Sequence, residues 1–354
     1  MDQKKALIAM SGGVDSSVAA HLIRRQGYAC CGAYMQLCAR LLPSPGPDAS
    51  LDAAAVAQRL DIPFYALDAQ EEFTREVAEP FVASYEQGLT PNPCIRCNRT
   101  IKFGYLLEKA RQLGYDFIVT GHYARIRRDP DTGRYLLYKA ADPGKDQSYF
   151  LAVLDQQQLS RTLLPLGELT KEQVRAIALE QGFVNAKKKD SQDICFIPDG
   201  DYRAFMQRYR QKVYPAGDFL DMTGKIVGRH TGAVGYTLGQ RKGLGLAMGA
   251  PVYVCAKDMR SNTVTVGPEA ALYRKSLIAG DWNWLPFPEL DRPIRVTAKA
   301  RYHHTPQAAT VYPMANGQAR VEFDAPQRAI TPGQAVVLYR EDMVVGAGTI
   351  LAAE

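Results

Sequence analysis

The chain has 354 residues, more than one ordinary domain holds, and this length suggests two or three domains. Hydrophobic residues make up 46% of it and charged residues 23%, a balance typical of globular proteins that excludes a disordered or collagen-like chain. The net charge of +6 comes from residues 201–354, which hold 19 lysines and arginines against 13 acids, whereas residues 1–200 hold 24 of each. This bias is compatible with a polyanionic partner such as nucleic acid, and also with an ordinary solvated face.

The expected compartment is the cytoplasm. No stretch approaches the roughly 18 to 20 uninterrupted apolar residues of a membrane helix, so no membrane association is expected. The opening residues lead into a strand-like run and show no signal-peptide pattern. The seven cysteines are odd in number and irregularly spaced, which disfavours a secreted disulfide framework and predicts buried, metal-bound or reactive thiols.

Strand-like and helix-like segments alternate over the first 125 residues. This alternation predicts a doubly wound α/β domain with a parallel sheet, in which ligands bind at the carboxyl ends of the strands. The predicted strands cover residues 6–10, 30–35, 63–67 and 117–120, and the predicted helices cover 16–26, 51–60, 71–86 and 102–113. A capping box opens another predicted helix at Thr170.

The pattern of apolar residues along the sequence changes after about residue 200. Helical periodicity gives way to short β-rich runs separated by Gly-rich turns, as at residues 251–256, 294–298 and 335–339. This spacing predicts a small β-barrel or sandwich rather than more parallel sheet.

The segment SGGVDS (residues 11–16) follows the first predicted strand and opens the first helix. Two glycines allow a sharp turn that points backbone N–H groups at an anion, and the helix N-terminus adds partial positive charge. The segment matches neither the kinase-type phosphate loop nor the dinucleotide pattern. It resembles the PP-loop of the ATP pyrophosphatases, which split ATP into AMP and pyrophosphate while adenylating a substrate. An ordinary Gly-rich turn is the alternative.

Three cysteines lie in two distant motifs. Cys94 and Cys97 belong to TPNPCIRCN (residues 90–98), and Cys195 belongs to DSQDICF (residues 190–196). A thiol beside Arg96 and a helix start is expected to have a lowered pKa. A structural zinc site is the alternative for Cys-x-x-Cys, although it needs four ligands and no second pair at finger spacing exists.

Seven segments in order make the chain similar, along essentially its whole length, to the tRNA-specific 2-thiouridylases. Besides the PP-loop they are TPNPCIRCNRTIKFG (90–104), TGHYAR (120–125), GKDQSYFL (144–151), DSQDICFI (190–197), GYTLGQRKGLG (235–245) and ARYHH (300–304). The resemblance implies three domains: a PP-loop catalytic domain over residues 1–200, a small central domain over 201–272, and a C-terminal β-barrel that contacts tRNA over 273–354.

The resemblance also implies the reaction, in which sulfur replaces the C2 oxygen of uridine 34 at the wobble position of tRNA. ATP adenylates that oxygen, Mg²⁺ assists the departure of pyrophosphate, and AMP leaves as sulfur enters. Cys195 is the implied carrier of a persulfide, and Cys97 is its catalytic partner, which releases the sulfur and closes a Cys97–Cys195 disulfide. The implied partners are the tRNAs for Lys, Glu and Gln, and a persulfide-donating sulfur carrier or cysteine desulfurase.

Binding positions follow from the same match. The implied ATP-binding residues are Ala9, Met10, Ser11, Gly12, Gly13, Val14, Asp15, Ser16, Met35 and Gly121. The implied residues at the target base or along the tRNA are Asn92, Pro93, Cys94, His122, Lys145, Asp146, Gln147, Arg301, Tyr302 and Gln334. From the residues alone, a solvated turn residue is the favoured interpretation of Lys145. Arg301-Tyr302 is equally well interpreted as an exposed strand pair.

Cys94 departs from one familiar form of the family pattern, which has an aspartate there. With Cys97 and Cys195 it gives three thiolates that could hold a [4Fe–4S] cluster with one iron open to the transferring sulfur. The persulfide relay is the favoured mechanism, and the cluster is the alternative route to the same reaction. Cys30, Cys31, Cys38 and Cys255 are expected to be structural or incidental.

Two other functions compete with thiolation. One is a PP-loop enzyme that adenylates a small molecule, and the other is a zinc-stabilised RNA-binding protein without catalysis. The first leaves the three cysteines and the basic C-terminal part without a role, and the second leaves the PP-loop without one.

Overall fold

The computed structural model describes residues 3–42, 48–188 and 194–354. Its N-terminal part is built on a parallel sheet with helices on both faces. The strands of this part are β1 (Lys5–Ala9), β2 (Ala29–Gln36), β3 (Phe64–Asp68), β4 (Phe117–Val119), β5 (Arg125–Arg128), β6 (Tyr135–Tyr138) and β7 (Thr162–Leu163). The helices are α1 (Val14–Arg25), α2 (Ala49–Arg59), α3 (Gln70–Phe73), α4 (Glu79–Glu86), α5 (Pro93–Cys97), α6 (Leu106–Gln112), α7 (Ser148–Leu151), α8 (Gln156–Ser160) and α9 (Lys171–Glu180).

The sheet has the order β3-β2-β1-β4-β7, with every neighbouring pair parallel. The chain reverses direction across the sheet next to β1, which places a ligand crevice at the carboxyl end of that strand. The apolar run of β1 is buried on both faces, because Leu7 packs in one core cluster whereas Ala6 and Ile8 pack in the opposite one. The predicted α/β class is therefore confirmed.

Two of the predicted helices are interrupted by π-helical turns. Thr74–Ala78 joins α3 to α4, and Asn98–Tyr105 joins α5 to α6. The helix that was predicted to start at residue 102 starts at Pro93 instead. The cysteine motif, which was expected to precede that helix, is therefore itself helical. π-helical turns are rare and are found frequently at functional sites. The capping box that the sequence predicts at Thr170 is present, with Gln173 as its partner.

A four-stranded sheet follows in the central part of the chain. Its elements are α10 (Tyr202–Arg210), β8 (Gly217–Leu220), β9 (Ile226–His230), β10 (Tyr253–Asp258) and β11 (Thr263–Gly267). The strand order is β10-β11-β8-β9, and Phe219, Val254 and Val264 lie in its core.

A closed barrel of six strands completes the chain. The strands are β12 (Tyr273–Trp284), β13 (Ile294–Lys299), β14 (Gln307–Pro313), β15 (Ala319–Arg328), β16 (Ala335–Arg340) and β17 (Met343–Ala353). β12 pairs with both β15 and β17, which closes the barrel, and the β5–β6 hairpin adds to β17 at Tyr138. The barrel is thus hydrogen-bonded to the N-terminal part of the chain. No helix among the described residues is long and apolar enough to cross a membrane.

Candidate functional site

The PP-loop lies at the carboxyl end of β1 and is held in shape by its own serines. The Ser11 backbone N–H donates to Ser16 Oγ at 3.2 Å, and Ser16 Oγ donates to the Gly13 carbonyl oxygen at 3.0 Å. Helix α1 then begins at Val14 with no side-chain cap. Its first-turn N–H groups are therefore left for an anion, as expected of a phosphate site.

Two glycines let other segments approach this loop closely. Gly12 turns with φ +71°, and a Cβ there would lie 2.3 Å from the Ala49 carbonyl oxygen. A Cβ on Gly121 would lie 2.7 Å from both the Asp15 carbonyl carbon and the Ser16 nitrogen. Gly121, just beyond β4, therefore packs directly on the start of α1.

Asp15 is held by residues that the sequence analysis missed. Lys171 Nζ donates to both of its carboxylate oxygens at 2.7 and 2.8 Å, and the Tyr123 hydroxyl donates to Oδ1 at 2.7 Å. Lys171 is buried and opens α9, so the ion pair ties α9 to the PP-loop. The two partners are 156 residues apart in the chain, and no local pattern in the sequence could have paired them.

We expect Lys171→Met to lower the free energy of unfolding by about 2 kcal/mol, because it leaves the Asp15 carboxylate uncompensated. The loss is below the roughly 3–5 kcal/mol of a fully buried pair, since Asp15 keeps 30% of its side chain exposed. Urea unfolding measures it. The double variant Asp15→Asn/Lys171→Met is the control and should recover part of the loss. A change in the single variant below about 0.5 kcal/mol would contradict a structural ion pair.

The loop is also contacted from the segment after α9. Asn185 Nδ2 donates to the Gly12 carbonyl oxygen at 3.2 Å and to Ser17 Oγ at 2.9 Å. Lys188 Nζ donates to the same carbonyl at 3.3 Å and pairs with Asp52 at 2.8 Å. Lys188 therefore ties this segment to the PP-loop and to α2.

Three of the expected ATP-binding residues that lie outside the PP-loop share the carboxyl edge of the sheet. Ala9 ends β1, and the Met10 backbone N–H donates to the Ala33 carbonyl oxygen on β2 at 2.8 Å. Met35, near the end of β2, is paired in register with Leu67 on β3. These positions lie beside the PP-loop at one edge.

The first cysteine motif is built as a capped helix. Asn92 Oδ1 accepts the backbone N–H groups of Cys94 at 3.1 Å and Ile95 at 3.3 Å, and Pro93 takes the first helical position. Cys94 is exposed, whereas Cys97, one helical turn on, is only 7% exposed. Asn92 is thus the helix cap, so its amide oxygen is already used within the protein.

The C-terminal barrel contacts the segment that leads into this helix. Gln334 Nε2 donates to the Thr90 carbonyl oxygen at 2.7 Å, and the Thr90 backbone N–H donates to the Pro332 carbonyl oxygen at 3.0 Å. Gly333 lies so close that a Cβ on it would come 3.0 Å from Thr90 nitrogen. The 332–334 turn therefore fixes the approach to Cys94.

The expected lowering of thiol pKa beside Arg96 is wrong in this structure. Burial raises the pKa of Cys97 to about 12, which outweighs the lowering by nearby Lys102. Desolvation in the cleft also raises the pKa of Cys94. Arg96 instead pairs with Glu76, at 3.4 Å between Nη2 and Oε2, and its guanidinium is turned to that partner.

We expect Cys97 to be alkylated by iodoacetamide at least about 100-fold more slowly than an ordinary thiol at pH 8, because only the thiolate reacts. A raised pKa means that the thiolate is scarce until the pH nears that value of about 12, so the rate should rise about tenfold per pH unit between pH 8 and 10. Peptide mass spectrometry of native protein measures it at each site. Alkylation of Cys97 as fast as that of a free cysteine peptide would contradict this burial.

Cys195 lies next to Cys38, a thiol to which the sequence analysis gave no role in the site. The Cys38 thiol donates to the Cys195 carbonyl oxygen at 3.6 Å. Interaction with the Cys195 thiol lowers the pKa of Cys38, and interaction with Cys38, together with desolvation, raises the pKa of Cys195 well above its usual value. This contact places Cys38, which was expected to be structural or incidental, beside Cys195. Its position just past the carboxyl end of β2 is the signal that could have indicated it.

His122 lies between the PP-loop and the cysteine helix. It follows Gly121, its Nδ1 is 2.8 Å from Thr120 Oγ1, and its ring lies 5.6 Å from that of Phe103. Desolvation, with a smaller effect from Lys102, holds the pKa of His122 well below its usual value. The imidazole is therefore neutral at pH 7.

The expected tRNA loop at Lys145, Asp146 and Gln147 is tied into the protein. Asp146 Oδ1 accepts the backbone N–H groups of Ala140 and Ser148, both at 3.1 Å. Gln147 Oε1 accepts the Tyr123 backbone N–H at 2.9 Å. These two side chains shape the loop, and all three residues keep partial exposure.

Arg301 and Tyr302 lie where the barrel meets the other parts of the chain. Arg301 Nη2 donates to the Leu238 carbonyl oxygen at 2.9 Å and to Thr331 Oγ1, and among the described residues its buried Nε has no partner. Tyr302 packs its ring 4.3 Å from that of Phe150. Both are partly buried, so their expected roles in tRNA binding stay predictions.

The described residues contain no group of three His, Cys, Asp or Glu side chains arranged to hold a metal ion. Cys97 is buried in an apolar cluster with Phe73 and Phe196, while Cys195 contacts Cys38. The three thiols proposed for a [4Fe–4S] cluster therefore do not fit that group in this arrangement.

Three family models match the chain in succession. They are described as a tRNA methyl transferase HUP domain (residues 4–199), a tRNA methyl transferase PRC-barrel domain (203–268) and an aminomethyltransferase beta-barrel domain (274–350). The chain is also similar to the tRNA-specific 2-thiouridylase MnmA of Moorella thermoacetica, at 52% identity over 97% of this chain and 98% of that protein. The corresponding protein of Heliobacterium modesticaldum is 49% identical, over 99% and 93%.

Among solved structures, the U34-tRNA thiolase NcsA from Methanococcus maripaludis with its [4Fe–4S] cluster aligns with a TM-score of 0.35. The identity is 15%, over 59% of this chain and 67% of that chain. So distant an alignment carries no argument about a cluster in this protein.

Proposed function

Because the chain belongs to the tRNA-specific 2-thiouridylase family, we propose that it replaces the C2 oxygen of uridine 34 in tRNA with sulfur, through an adenylated uridine and a Cys195 persulfide. The proposal joins an adenylation step to a sulfur-transfer step. The observation that carries it is the contact between the residues assigned to these two steps. Gly121 packs on the PP-loop, and the adjoining His122 packs on Phe103, in the π-helical segment that follows Cys97. A base held near His122 would face both the ATP phosphates and the thiols.

ATP enters as its Mg²⁺ complex, as a substrate. The uncapped start of α1 and the N–H groups of residues 12–16 are proposed to hold the phosphates, while the paired Asp15 and Lys171 keep the loop rigid. Binding groups that are fixed beforehand stabilise the charge that develops on pyrophosphate without reorganising during the reaction. Ala9, Met10 and Met35 are proposed to border the adenine.

The uridine C2 oxygen attacks the α-phosphorus, pyrophosphate leaves, and the base becomes an adenylated intermediate. Asn92, Pro93 and Cys94 are proposed to line the pocket for the splayed base, with Gln334 fixing its approach through Thr90. His122 keeps a neutral imidazole there, which is proposed to hydrogen-bond to the base.

Sulfur then replaces AMP. Cys195 is proposed to carry the terminal sulfur of a persulfide, and Cys97 to release it when tRNA is bound, forming a Cys97–Cys195 disulfide. Because Cys97 is buried and its pKa is raised to about 12, this step requires the segment around it to open. No step is routed through an iron–sulfur cluster, since the described thiols do not fit one.

The remaining tRNA contacts are proposed for Lys145, Asp146, Gln147, Arg301 and Tyr302. These residues lie at the meeting of the 144–151 segment and the barrel, where Tyr302 Oη donates to the Asp146 carbonyl oxygen at 3.4 Å. The excess of basic residues over residues 201–354 favours phosphate contacts by this part. The boundaries 1–200, 201–272 and 273–354 are proposed for the three domains.

The test uses protein treated with chelator, unmodified tRNA, ATP, Mg²⁺ and a persulfide donor, with nucleosides measured by mass spectrometry. We expect 2-thiouridine from tRNA with uridine 34 and none from the same tRNA with cytidine 34. Formation of 2-thiouridine in both tRNAs would show that the enzyme modifies a uridine other than uridine 34. No product, followed by product after anaerobic cluster reconstitution, would replace the persulfide relay by the cluster route.

A further inference from the structure

Cys38 is a thiol that the proposed reaction does not use, although it lies at the same carboxyl edge of the sheet as the PP-loop. It lies two residues beyond β2, at the start of the 3₁₀ turn Ala39–Leu41, on the edge of the sheet where the PP-loop lies. Its Sγ is 3.6 Å from the Cys195 carbonyl oxygen, and the Cys195 thiol lies close enough to lower the pKa of Cys38. Cys38 is half-buried, and Cys195 is exposed.

The apolar packing around the two residues holds them together. Leu37, Cys38 and Leu41 on one side, and Ile194 on the other, pack against the same core cluster. Phe196, which follows Cys195, is 1% exposed and packs edge to face against Phe73 at 5.5 Å. The segment that carries Cys195 is therefore anchored over the end of β2.

Cys97 is placed differently. It is 7% exposed and belongs to the same cluster, but among the contacts of the described residues no hydrogen bond joins its thiol to Cys195. In this structure the Cys38 thiol contacts the Cys195 backbone. A disulfide between the two residues requires their sulfur atoms to close to about 2 Å, the length of an S–S bond.

We propose that Cys38 is a second resolving thiol, which discharges the Cys195 persulfide when no tRNA is bound. The Cys38 thiolate attacks the inner sulfur of the persulfide, the bond between inner and outer sulfur breaks, and the outer sulfur leaves as hydrosulfide. The two cysteines lose two electrons in forming the Cys38–Cys195 disulfide, and the outer sulfur gains them, so no external oxidant is needed. This inference rests on the persulfide of the proposed function.

The test loads the reduced full-length protein with inorganic polysulfide in the absence of tRNA and ATP. Released sulfide is measured over time, and linked peptides are mapped by mass spectrometry without reduction. We expect a Cys38–Cys195 peptide in step with sulfide release in the wild type and in Cys97→Ser. In Cys38→Ser the Cys195 persulfide should persist at least 10-fold longer. Cys255→Ser, in the central sheet, is the matched control and should behave as the wild type.

The outcomes separate the two proposals. A persulfide on Cys195 that decays equally fast in Cys38→Ser, or a wild type that yields only the Cys97–Cys195 peptide, overturns the role of Cys38 and leaves the persulfide relay standing. A persulfide found on Cys38 itself also overturns it. No persulfide on Cys195 in any variant overturns the relay, and the role of Cys38 with it.

Discussion

Replacing Cys195 with serine is expected to lower 2-thiouridine formation at least about a thousand-fold while leaving the release of pyrophosphate in the adenylation step measurable. A serine hydroxyl cannot carry the sulfane sulfur, but the PP-loop and the base pocket are untouched. Nucleoside mass spectrometry measures the thiolation, and radiolabelled ATP measures the adenylation with tRNA present.

Cys255→Ser is the control for this variant, because that thiol lies in β10 and donates to the Tyr253 carbonyl oxygen at 3.3 Å, away from the cleft. It should retain both activities. Thiolation by Cys195→Ser within tenfold of the wild type would show that sulfur reaches the base without this residue.

Replacing Gly12 with alanine is expected to lower the rate of adenylation at least about 100-fold and to weaken ATP binding. The new Cβ would lie 2.3 Å from the Ala49 carbonyl oxygen, and the residue has φ +71°, so the PP-loop must move away from α2. The N–H groups that should meet the phosphates would move with it. Pyrophosphate release in the presence of tRNA measures the rate.

Gly27→Ala is the matched control for this substitution. Gly27 has φ +85°, so alanine there meets a similar backbone cost, but no atom lies within 4 Å of its Cβ and it follows the far end of α1. Gly12→Ala should lose more stability than Gly27→Ala because it adds a clash with Ala49 to the shared backbone cost, and only Gly12→Ala should lose ATP binding. Equal loss of activity in the two variants would assign the effect to backbone strain alone.

The sequence predicted the sheet well because β1 and β2 carry continuous apolar runs that only a strand buried on both faces needs. It missed β12, in which Lys275, Gly280 and Asp281 interrupt the apolar pattern and the pairing register shifts. It also missed β14, β8 and β9, which are short or lie among turns. Strands of this kind are formed by their neighbours in the sheet, so the local sequence shows them poorly.

The PP-loop and the cysteine helix could be identified from the sequence because each is one continuous motif. Their partners could not. Lys171 and Tyr123 reach Asp15 across 156 and 108 residues, and Cys38 reaches Cys195 across 157. The pKa prediction at Cys97 failed because it counted the nearby cation and helix start but could not count burial, which dominates.

The measurement that tests the account most directly follows the oxygen that leaves uridine 34. A tRNA carrying ¹⁸O at C2 of that uridine is thiolated with ATP, Mg²⁺ and a persulfide donor, and the products are analysed by mass spectrometry. Adenylation of the C2 oxygen predicts one ¹⁸O in each AMP released, in equal amount to the 2-thiouridine formed. If thiolation proceeds and the ¹⁸O appears in phosphate or water while AMP stays unlabelled, the uridine is not activated by adenylation and the account is wrong.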